Sequence, residues 1–243
     1  MTTAPIADQQ RLLAVQELDT RLDQLAHRRR EVPAIARLAE LDARLADLST
    51  ALVTSRTAQG DLQRELAKAE ADVEQVRSRA KRDQDRLDSG AASAKDAQAL
   101  ASEIESLARR QGVLEEVELE VMERLDAHSA ALAKLEAANG EVEGQKADTL
   151  VERDAAFAEL DAEAERVRVE RSVAAEGIDA GLMALYEKLR AQLGRGAAAL
   201  VGRQCQGCRM ELNPVDLAAV KAAAPDQVVR CEECGRILVR TDL

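Results

Sequence analysis

The sequence predicts a mainly α fold, in which a long antiparallel coiled-coil hairpin precedes a small C-terminal domain that contains cysteines. Apolar residues recur with heptad spacing in two long runs, and a short Gly- and Ser-containing segment separates them. Aromatic residues make up only 1% of the 243 residues, whereas a globular core of this size would use many more. All four cysteines lie in the last forty residues.

The first helical stretch covers residues 8–32, and Pro33 predicts that this helix ends or kinks there. A regular alternation of three- and four-residue steps then begins, and 12 of its 15 positions are apolar. These positions are Leu38, Leu41, Leu45, Leu48, Leu52, Ser55, Gln59, Leu62, Leu66, Ala69, Val73, Val76, Ala80, Asp83 and Leu87. Seven heptads, about 75 Å of helix, favour a coiled coil over an amphipathic helix of a globular domain.

A hairpin tip is predicted near residues 88–94, because Gly90 stops a helix and Ser93 can cap the next one. A second heptad run follows, in which eight of 11 positions are apolar. These positions are Leu100, Ile104, Leu107, Gln111, Leu114, Glu118, Val121, Leu125, His128, Leu132 and Leu135. Two such runs with a short connection favour an antiparallel pair. The polar seam residues Gln59, Gln111 and His128 are expected to set its register.

Asn139-Gly140 and Gly144 interrupt the second run at about the level of Pro33, so bends are predicted near residue 33 and residues 139–144. An apolar stripe is expected to resume beyond residue 150 in a shifted register. Residues 194–199 are then expected to connect two domains, the helical hairpin of residues 1–193 and the cysteine-containing domain of residues 200–243.

The cysteines form two Cys-x-x-Cys pairs, Cys205 with Cys208 and Cys231 with Cys234, 22 residues apart. This spacing is typical of a tetrahedral zinc site, and we interpret Gly207 and Gly235 as the residues that supply a positive φ in each turn. Four thiolates complete the tetrahedron, which predicts one structural Zn²⁺ rather than a catalytic one. Disulfides are disfavoured because no signal peptide precedes them, and a rubredoxin-type iron site would use aromatic residues.

The net charge of −11 lies entirely on residues 1–199, because six basic and six acidic residues balance from Leu200 onward. An acidic body disfavours extended contact with nucleic acid. No apolar run is long enough to cross a membrane, and reduced-type cysteines predict a cytoplasmic protein. The candidates for contact with phosphates or with an acidic partner are the arginines of the C-terminal domain: Arg203, Arg209, Arg230, Arg236 and Arg240.

Four stretches resemble a family of bacterial coiled-coil proteins with a C-terminal C4-type zinc ribbon, often described as nucleic-acid-binding. They are Leu13-Ala-Val-Gln-Glu-Leu-Asp19, Ala97-Gln-Ala-Leu100 with Glu103-Ile-Glu-Ser-Leu107, Tyr186-Glu-Lys-Leu-Arg190, and the two cysteine pairs. An aromatic residue expected near the second stretch is absent, since Asp96-Ala97 stands there. The resemblance implies a helical hairpin with a zinc ribbon at one end. It also implies partners such as a sigma factor or another transcription component, messenger RNA, or flagellar and secretion systems.

The sequence therefore favours a non-enzymatic adaptor that binds a protein, RNA or both through the ribbon, with the coiled coil as spacer. A first alternative is a coiled-coil scaffold with no role in nucleic-acid binding. A second is a regulator that enters the RNA polymerase secondary channel with acidic residues at the hairpin tip (Asp83, Asp85, Asp88 and Asp96). The oligomeric state stays open, a homodimer included. An enzyme is not expected, because no phosphate-binding loop and no nucleophile–base set is present.

Overall fold

The structure is a computed structural model that describes residues 2–241, so residue 1 and residues 242–243 of the predicted domains lie outside the described part. The elements, in chain order, are α1 (Ile6–Arg30), α2 (Pro33–Asp88), α3 (Ala94–Ala175), α4 (Ala180–Leu193), β1 (Ala197–Val201), β2 (Gln204–Cys205), α5 (Pro214–Ala222) and β3 (Ile237–Arg240). The predicted mainly α class is confirmed. Among the described helices, none is long and apolar enough to cross a membrane.

The chain forms two compact units. One consists of Arg37–Leu150, and the other consists of the described parts of Met1–Ala36 and Val151–Leu243. This division differs from the predicted domain ranges, because α1, the C-terminal part of α3 and α4 pack with the cysteine-containing domain rather than forming a unit with the rest of the hairpin.

In the unit Arg37–Leu150, α2 and α3 pair in antiparallel orientation. Partner numbers rise on α3 as they fall on α2, as shown by the ion pairs Arg79–Glu103 at 2.8 Å, Arg77–Glu115 at 2.6 Å, Glu65–Arg124 at 3.2 Å, Arg56–Glu136 at 2.8 Å and Asp42–Lys146 at 2.6 Å. Every predicted seam position of both runs is buried or half-buried. At the tip, Gly90 has a φ of +69°, and the Ser93 hydroxyl accepts a hydrogen bond from the backbone N–H of Asp96.

Two of the three polar seam residues make contacts between the helices. The Nε2 atom of His128 lies 2.9 Å from the carbonyl oxygen of Ser55 and 3.1 Å from its hydroxyl. Gln59 donates to the Ser129 hydroxyl at 3.0 Å. Gln111 instead donates to Glu115 on its own helix, so it does not link the two helices through this bond. These paired polar groups favour one register because a shift along the seam would leave them unpaired.

α3 continues through residues 139–144 without a break, so the glycines do not end the helix there, and the bend expected at this level stays a prediction. Gly140 and Gly144 lie on the exposed side of the helix, and the buried and half-buried positions continue in unchanged steps at Asn139, Val142 and Lys146. The glycines therefore cost helix propensity, about 1 kcal/mol each, without breaking the seam. At the other predicted bend, α1 ends at Arg30 and α2 begins at Pro33. Proline is tolerated there because the N–H of the first helical residue makes no hydrogen bond within the helix.

We predict that Gly140→Ala and Gly144→Ala each raise the free energy of unfolding by about 0.5–1 kcal/mol, because alanine favours the helix and an added Cβ meets no atom within 4 Å. Denaturant titration followed by circular dichroism measures the change. Gly90→Ala is the matched control. It has the same open surroundings but a positive φ, so it is expected to lower stability by about 1 kcal/mol. Destabilisation by all three substitutions would contradict a continuous α3.

In the other unit, a three-stranded sheet of order β2-β1-β3 forms the centre of the C-terminal domain. The β1–β3 pair is parallel, and both of its faces are covered. On one face, Ala197, Ile237 and Val239 pack in a cluster with α1 and α4. On the other face, Ala198, Leu200 and Leu238 pack with the cysteines and with α5. All four residues of β3 are therefore buried, as expected for a strand whose sheet is covered on both faces.

Only the first three residues of the predicted connection at 194–199 lie between α4 and β1, because residues 197–199 belong to β1. Gly194 ends α4 with a φ of +76°, and β1 begins at Ala197. Gly196 lies between them against Tyr186, where an added Cβ would come within 2.6 Å of the tyrosine ring and of its backbone oxygen. Residues 2–4 also reach this domain, since Ala4 donates its backbone N–H to Asp226 at 2.8 Å. The sheet is thus held directly against the helices of its unit.

Candidate metal centre and ribbon surface

The two cysteine pairs form turns with the same backbone hydrogen bonds. In the first turn, the N–H of Arg209 donates to the carbonyl of Cys205 at 2.7 Å, and the N–H of Cys205 donates to Met210 at 3.1 Å. In the second, the corresponding bonds run from Gly235 to the carbonyl of Cys231 at 2.8 Å and from Cys231 to Arg236 at 2.9 Å. The backbone N–H groups of Gly207 and Cys208 point at the Cys205 sulfur, and those of Glu233 and Cys234 at the Cys231 sulfur. Each turn therefore directs its sulfurs and amides towards one point.

The positive φ in each turn lies on the residue after the second cysteine. These residues are Arg209, with a φ of +62°, and Gly235, with a φ of +71°. The prediction for Gly235 is thus confirmed, whereas that for Gly207 is wrong. Gly207 is required by close approach instead, because an added Cβ would lie 2.9 Å from the Cβ of Ala198 and 3.0 Å from the Arg236 side chain.

The geometry of the four sulfurs fits a tetrahedral zinc ion. All four ligand atoms lie within 4.8 Å of one another. The sulfurs of Cys205 and Cys234 are 3.9 Å apart, and those of Cys208 and Cys231 are 4.0 Å apart. A tetrahedron with Zn–S bonds of about 2.3 Å has sulfur–sulfur edges of about 3.8 Å. The four cysteines are free thiols rather than disulfides, so all four sulfurs are available to the metal.

The protonation of these thiols depends on whether a cation is bound. Burial raises the pKa of Cys205, and it raises that of Cys231 to about 12. Burial acts in the same direction at Cys234, but hydrogen bonds from the backbone and side chain of Arg236 outweigh it and lower the pKa to about 7. Four thiolates this close together would repel one another at neutral pH. A bound Zn²⁺ removes this cost because it deprotonates its ligands.

Comparison with known proteins agrees with both parts of this architecture. The model of the CT398-like coiled coil hairpin domain matches residues 15–194. The chain belongs to this family. The model of a C4-type zinc ribbon domain matches residues 204–238, which contain all four cysteines. Together with the sulfur geometry, this match identifies the cysteine cluster as the site of one structural zinc ion, as predicted.

Several relatives match the chain over more than nine tenths of its length. The uncharacterized protein Rv2229c of Mycobacterium tuberculosis is 36% identical over 98% of both chains, and the uncharacterized protein ML1638 of Mycobacterium leprae is 29% identical over 91% of this chain and 95% of its own. A solved structure from Mycobacterium smegmatis is 37% identical, covers 98% of this chain and 100% of its own, and has a TM-score of 0.88. CT398 from Chlamydia trachomatis shares the fold at 21% identity, with a TM-score of 0.71 over 97% of this chain and 98% of its own.

One predicted contact residue, Arg240, is placed inside the domain instead of on its surface. It is only 3% exposed, and its guanidinium donates to five backbone carbonyls. These belong to Val220, Ala223, Ala224, Pro225 and Gln227, at 2.9–3.4 Å. Arg240 thus satisfies the carbonyl groups at the C-terminal end of α5 and in the loop after it. The prediction that Arg240 contacts a partner is therefore wrong. The sequence did not reveal this because a charged residue at a strand end is usually solvated.

The other four arginines divide into two groups. Arg236 is half-buried, donates to the Leu193 carbonyl at 3.2 Å and faces the Cys234 sulfur, so it belongs to the metal centre. Arg230 is exposed and donates to the Gly235 carbonyl at 2.7 Å, next to the second turn. Arg203 is exposed and pairs with Glu211 at 2.9 Å, and Arg209 is also exposed. Three of the five candidates, Arg203, Arg209 and Arg230, thus remain on the surface.

The acidic residues of the hairpin tip have local roles. Asp96 accepts a hydrogen bond from the Ser93 hydroxyl at 2.7 Å, Asp88 accepts one from Gln84 at 2.9 Å, and Asp83 lies 3.9 Å from Arg79. These contacts account for Asp88 and Asp96 as parts of a capped, solvated helix end and for Asp83 as a half-buried seam residue. The structure therefore adds nothing in favour of the polymerase-channel alternative.

A buried polar network between α1, α3 and α4 was missed by the sequence analysis. Asp19 is 1% exposed, accepts a 2.7 Å hydrogen bond from the Tyr186 hydroxyl and pairs with Arg171 at 2.7 Å. Burial and the Asp19 carboxylate raise the pKa of Tyr186 far above its usual value, so the phenol stays a donor. Gln16 accepts hydrogen bonds from the N–H groups of Gly196 and Ala197. The only available signal was an Asp and a Gln on the apolar face of α1, which does not identify their partners.

We predict that the purified chain binds one zinc ion per molecule and that Cys231→Ser/Cys234→Ser binds none, because two ligands cannot complete a tetrahedron. Metal analysis after gel filtration and release to a chromogenic chelator measure the stoichiometry. The control is a substitution to serine at an exposed position far from the cysteines in the chain, such as Ala91→Ser. A zinc content that persists in the double variant would contradict this ligand set.

We predict different effects of substitution at the two residues that follow the cysteine pairs, Gly235 and Arg209. Gly235→Ala should lower the stability of the zinc-bound domain by about 1–2 kcal/mol, because an L side chain is strained at its φ of +71°. Arg209→Gly should not lower it, because glycine relieves the same strain at +62° and the Arg209 side chain is exposed. Thermal unfolding in excess zinc tests both. Equal destabilisation would show that backbone strain does not govern these positions.

Proposed function

We propose that this protein is a non-enzymatic adaptor that acts in the cytoplasm, where thiols stay reduced, and binds a protein partner through the outer surface of its zinc ribbon. We define this outer ribbon surface by five residues: Val201, Arg203, Arg209, Met210 and Val215. The coiled-coil hairpin serves as spacer and as a second surface for interaction. The zinc ion has a structural role, because four thiolates leave no open coordination position for a substrate.

The observation that carries this proposal is the exposure of large apolar side chains on a small domain. Val201 is 52% exposed, Met210 is 53% exposed and Val215 is 77% exposed. Backbone pairing brings the segments of Val201 and Met210 together, since Val201 pairs with Gln204, and Gln204 forms a bridge with Glu211. Val215 follows Glu211 closely in the chain, at the start of α5. Solvent-exposed apolar groups beside arginines are typical of protein interfaces, which are enriched in Met and Arg.

The partner that suits this surface has an apolar patch bordered by acidic groups. Arg203 and Arg209 supply the cations, and the rest of the chain carries the excess of acidic residues that would repel a polyanion. No aromatic residue occurs between residue 200 and the C-terminus, so the ribbon offers no platform on which bases could stack. This composition favours a protein over RNA. The sigma-factor or transcription partner implied by the resemblance is the first one to test.

We predict that Met210→Asp and Arg209→Glu each weaken binding of the partner at least tenfold, as expected for residues near the centre of an interface. The partner is first captured from lysate on the intact chain, with and without nuclease, and is then purified and titrated by calorimetry. Met122→Asp and Arg110→Glu are matched controls, since both residues are exposed on α3.

Each outcome of this experiment separates the candidate functions. Loss of affinity in the ribbon variants but not in the α3 variants supports the adaptor. If the ribbon variants bind the partner with unchanged affinity, the binding surface lies on the coiled coil, as in the scaffold alternative. Capture that nuclease abolishes would replace the protein partner with RNA.

A further inference from the structure

One face of the ribbon sheet packs against α1 and α4 and forms part of their apolar core. The cluster on its helix-facing side contains Leu12 and Val15 of α1, both 0% exposed, and Leu182 and Tyr186 of α4. The strands complete this cluster with Ala197 of β1 and with Ile237 and Val239 of β3. The opposite face of the same strands packs on the metal-ligating cysteines. One layer of backbone thus separates the zinc site from α1.

Gln16 joins α1 to this layer through its side-chain oxygen. The residue is 7% exposed, and its Oε1 atom accepts hydrogen bonds from the N–H of Gly196 at 2.8 Å and of Ala197 at 3.3 Å. These two N–H groups stand at the start of β1, in a buried position. A buried donor without its acceptor carries the full cost of desolvation. The start of β1 therefore depends on α1 being in place, and α1 gains this contact only when β1 is formed.

A second connection ties the beginning of the chain to the ribbon. Ala4 donates its N–H to Asp226 at 2.8 Å, and Val228 donates to the carbonyl of Thr2 at 3.0 Å. Gln9, 2% exposed, then donates from its side chain to the carbonyls of Ala4 and Pro225 at 2.8 and 3.3 Å. The first turns of α1 are thus hydrogen-bonded to the loop of residues 224–228, whose carbonyl groups also accept hydrogen bonds from Arg240.

The strands are too short to form this layer by themselves. β1 has five residues, β3 has four and β2 has two, and a small sheet of this kind needs a metal or a packed face to be stable. The cysteines contribute by holding Cys205, which ends β2, close to Cys234, just before β3. Zinc-ribbon folds of this size form together with metal binding.

We propose that zinc occupancy and the docking of α1 are one coupled equilibrium, with Gln16 as the positioning residue that transmits it. Loss of zinc dissolves the sheet, which releases residues 2–4 and the N-terminal half of α1 and exposes Leu12, Val15 and Leu182. The unit Arg37–Leu150 shares no residue with this network and keeps its structure. The coupling makes the ribbon a metal-dependent latch on the first helix, and it does not depend on which partner the protein binds.

Hydrogen exchange of the full-length protein, followed by mass spectrometry, tests the latch. Protein with one equivalent of zinc is compared with protein depleted by a chelator and with Cys231→Ser/Cys234→Ser, which needs no chelator. We expect peptides from residues 2–20 and 180–193 to lose at least tenfold in protection together with the ribbon. Peptides from residues 45–140 should keep their protection and report that the rest of the chain is folded.

Linkage requires the reverse effect, so a change in α1 must weaken zinc binding by the same coupling. Gln16→Met keeps the length of the side chain but removes the acceptor, and we expect it to weaken zinc affinity about tenfold, which corresponds to about 1.4 kcal/mol. Gln10→Met is the matched control, because Gln10 is an exposed glutamine of the same helix. Competition with a chromogenic chelator measures both affinities.

Two results would overturn the latch. The first is unchanged protection of residues 2–20 after zinc is removed. The second is equal zinc affinity in Gln16→Met and Gln10→Met. The first would show that the ribbon and α1 are merely in contact and fold independently, and the second would show that Gln16 does not transmit the coupling.

Discussion

The parallel pairing of β1 with β3 is the interaction on which the C-terminal half of the unit depends. A parallel pair needs cover on both faces. Here, one face is covered by the cysteine cluster and α5, and the other by α1 and α4. This double requirement explains why the strands lack a polar face, why Gly196 must be a glycine beside Tyr186, and why the chain's first residues are fastened to the ribbon.

The polar groups around this sheet follow from the same constraint. Burial of a strand leaves backbone N–H and carbonyl groups that water cannot reach, so side chains must supply the partners. Gln16 does this at the start of β1, and Arg240 does it for the carbonyls around the end of α5. Asp19 accepts hydrogen bonds from Tyr186 and Arg171 and so links α1 to α4 and α3. The ribbon is therefore an integrated part of its unit, and its outer surface is held in a defined orientation relative to α1.

The coiled coil is governed by a simpler rule, in which one apolar stripe per helix is buried and everything else is tolerated. This rule explains why Gly140 and Gly144 do not interrupt α3. They lie outside the stripe, where the loss of helix propensity is small compared with the packing of Val142 and its neighbours in the seam. It also explains why a polar pair such as Ser55 and His128 is accepted within the stripe, since each group finds a partner across the seam.

The sequence by itself determined the two heptad runs, the turn at Gly90, the capping Ser93 and the four metal ligands. Each depends on residues at short, regular spacings in the chain, and each spacing is typical of one kind of local structure. Only the tertiary structure decided the fates of Arg240 and Arg236, the role of Gly207, and the attachment of residues 2–4, Gln16 and Asp19 to the ribbon. These depend on contacts between residues far apart in the chain, up to 216 positions in the case of Gln9 and Pro225. A polar side chain in a sequence does not reveal whether water or a distant backbone group satisfies it, because both solutions use the same residue.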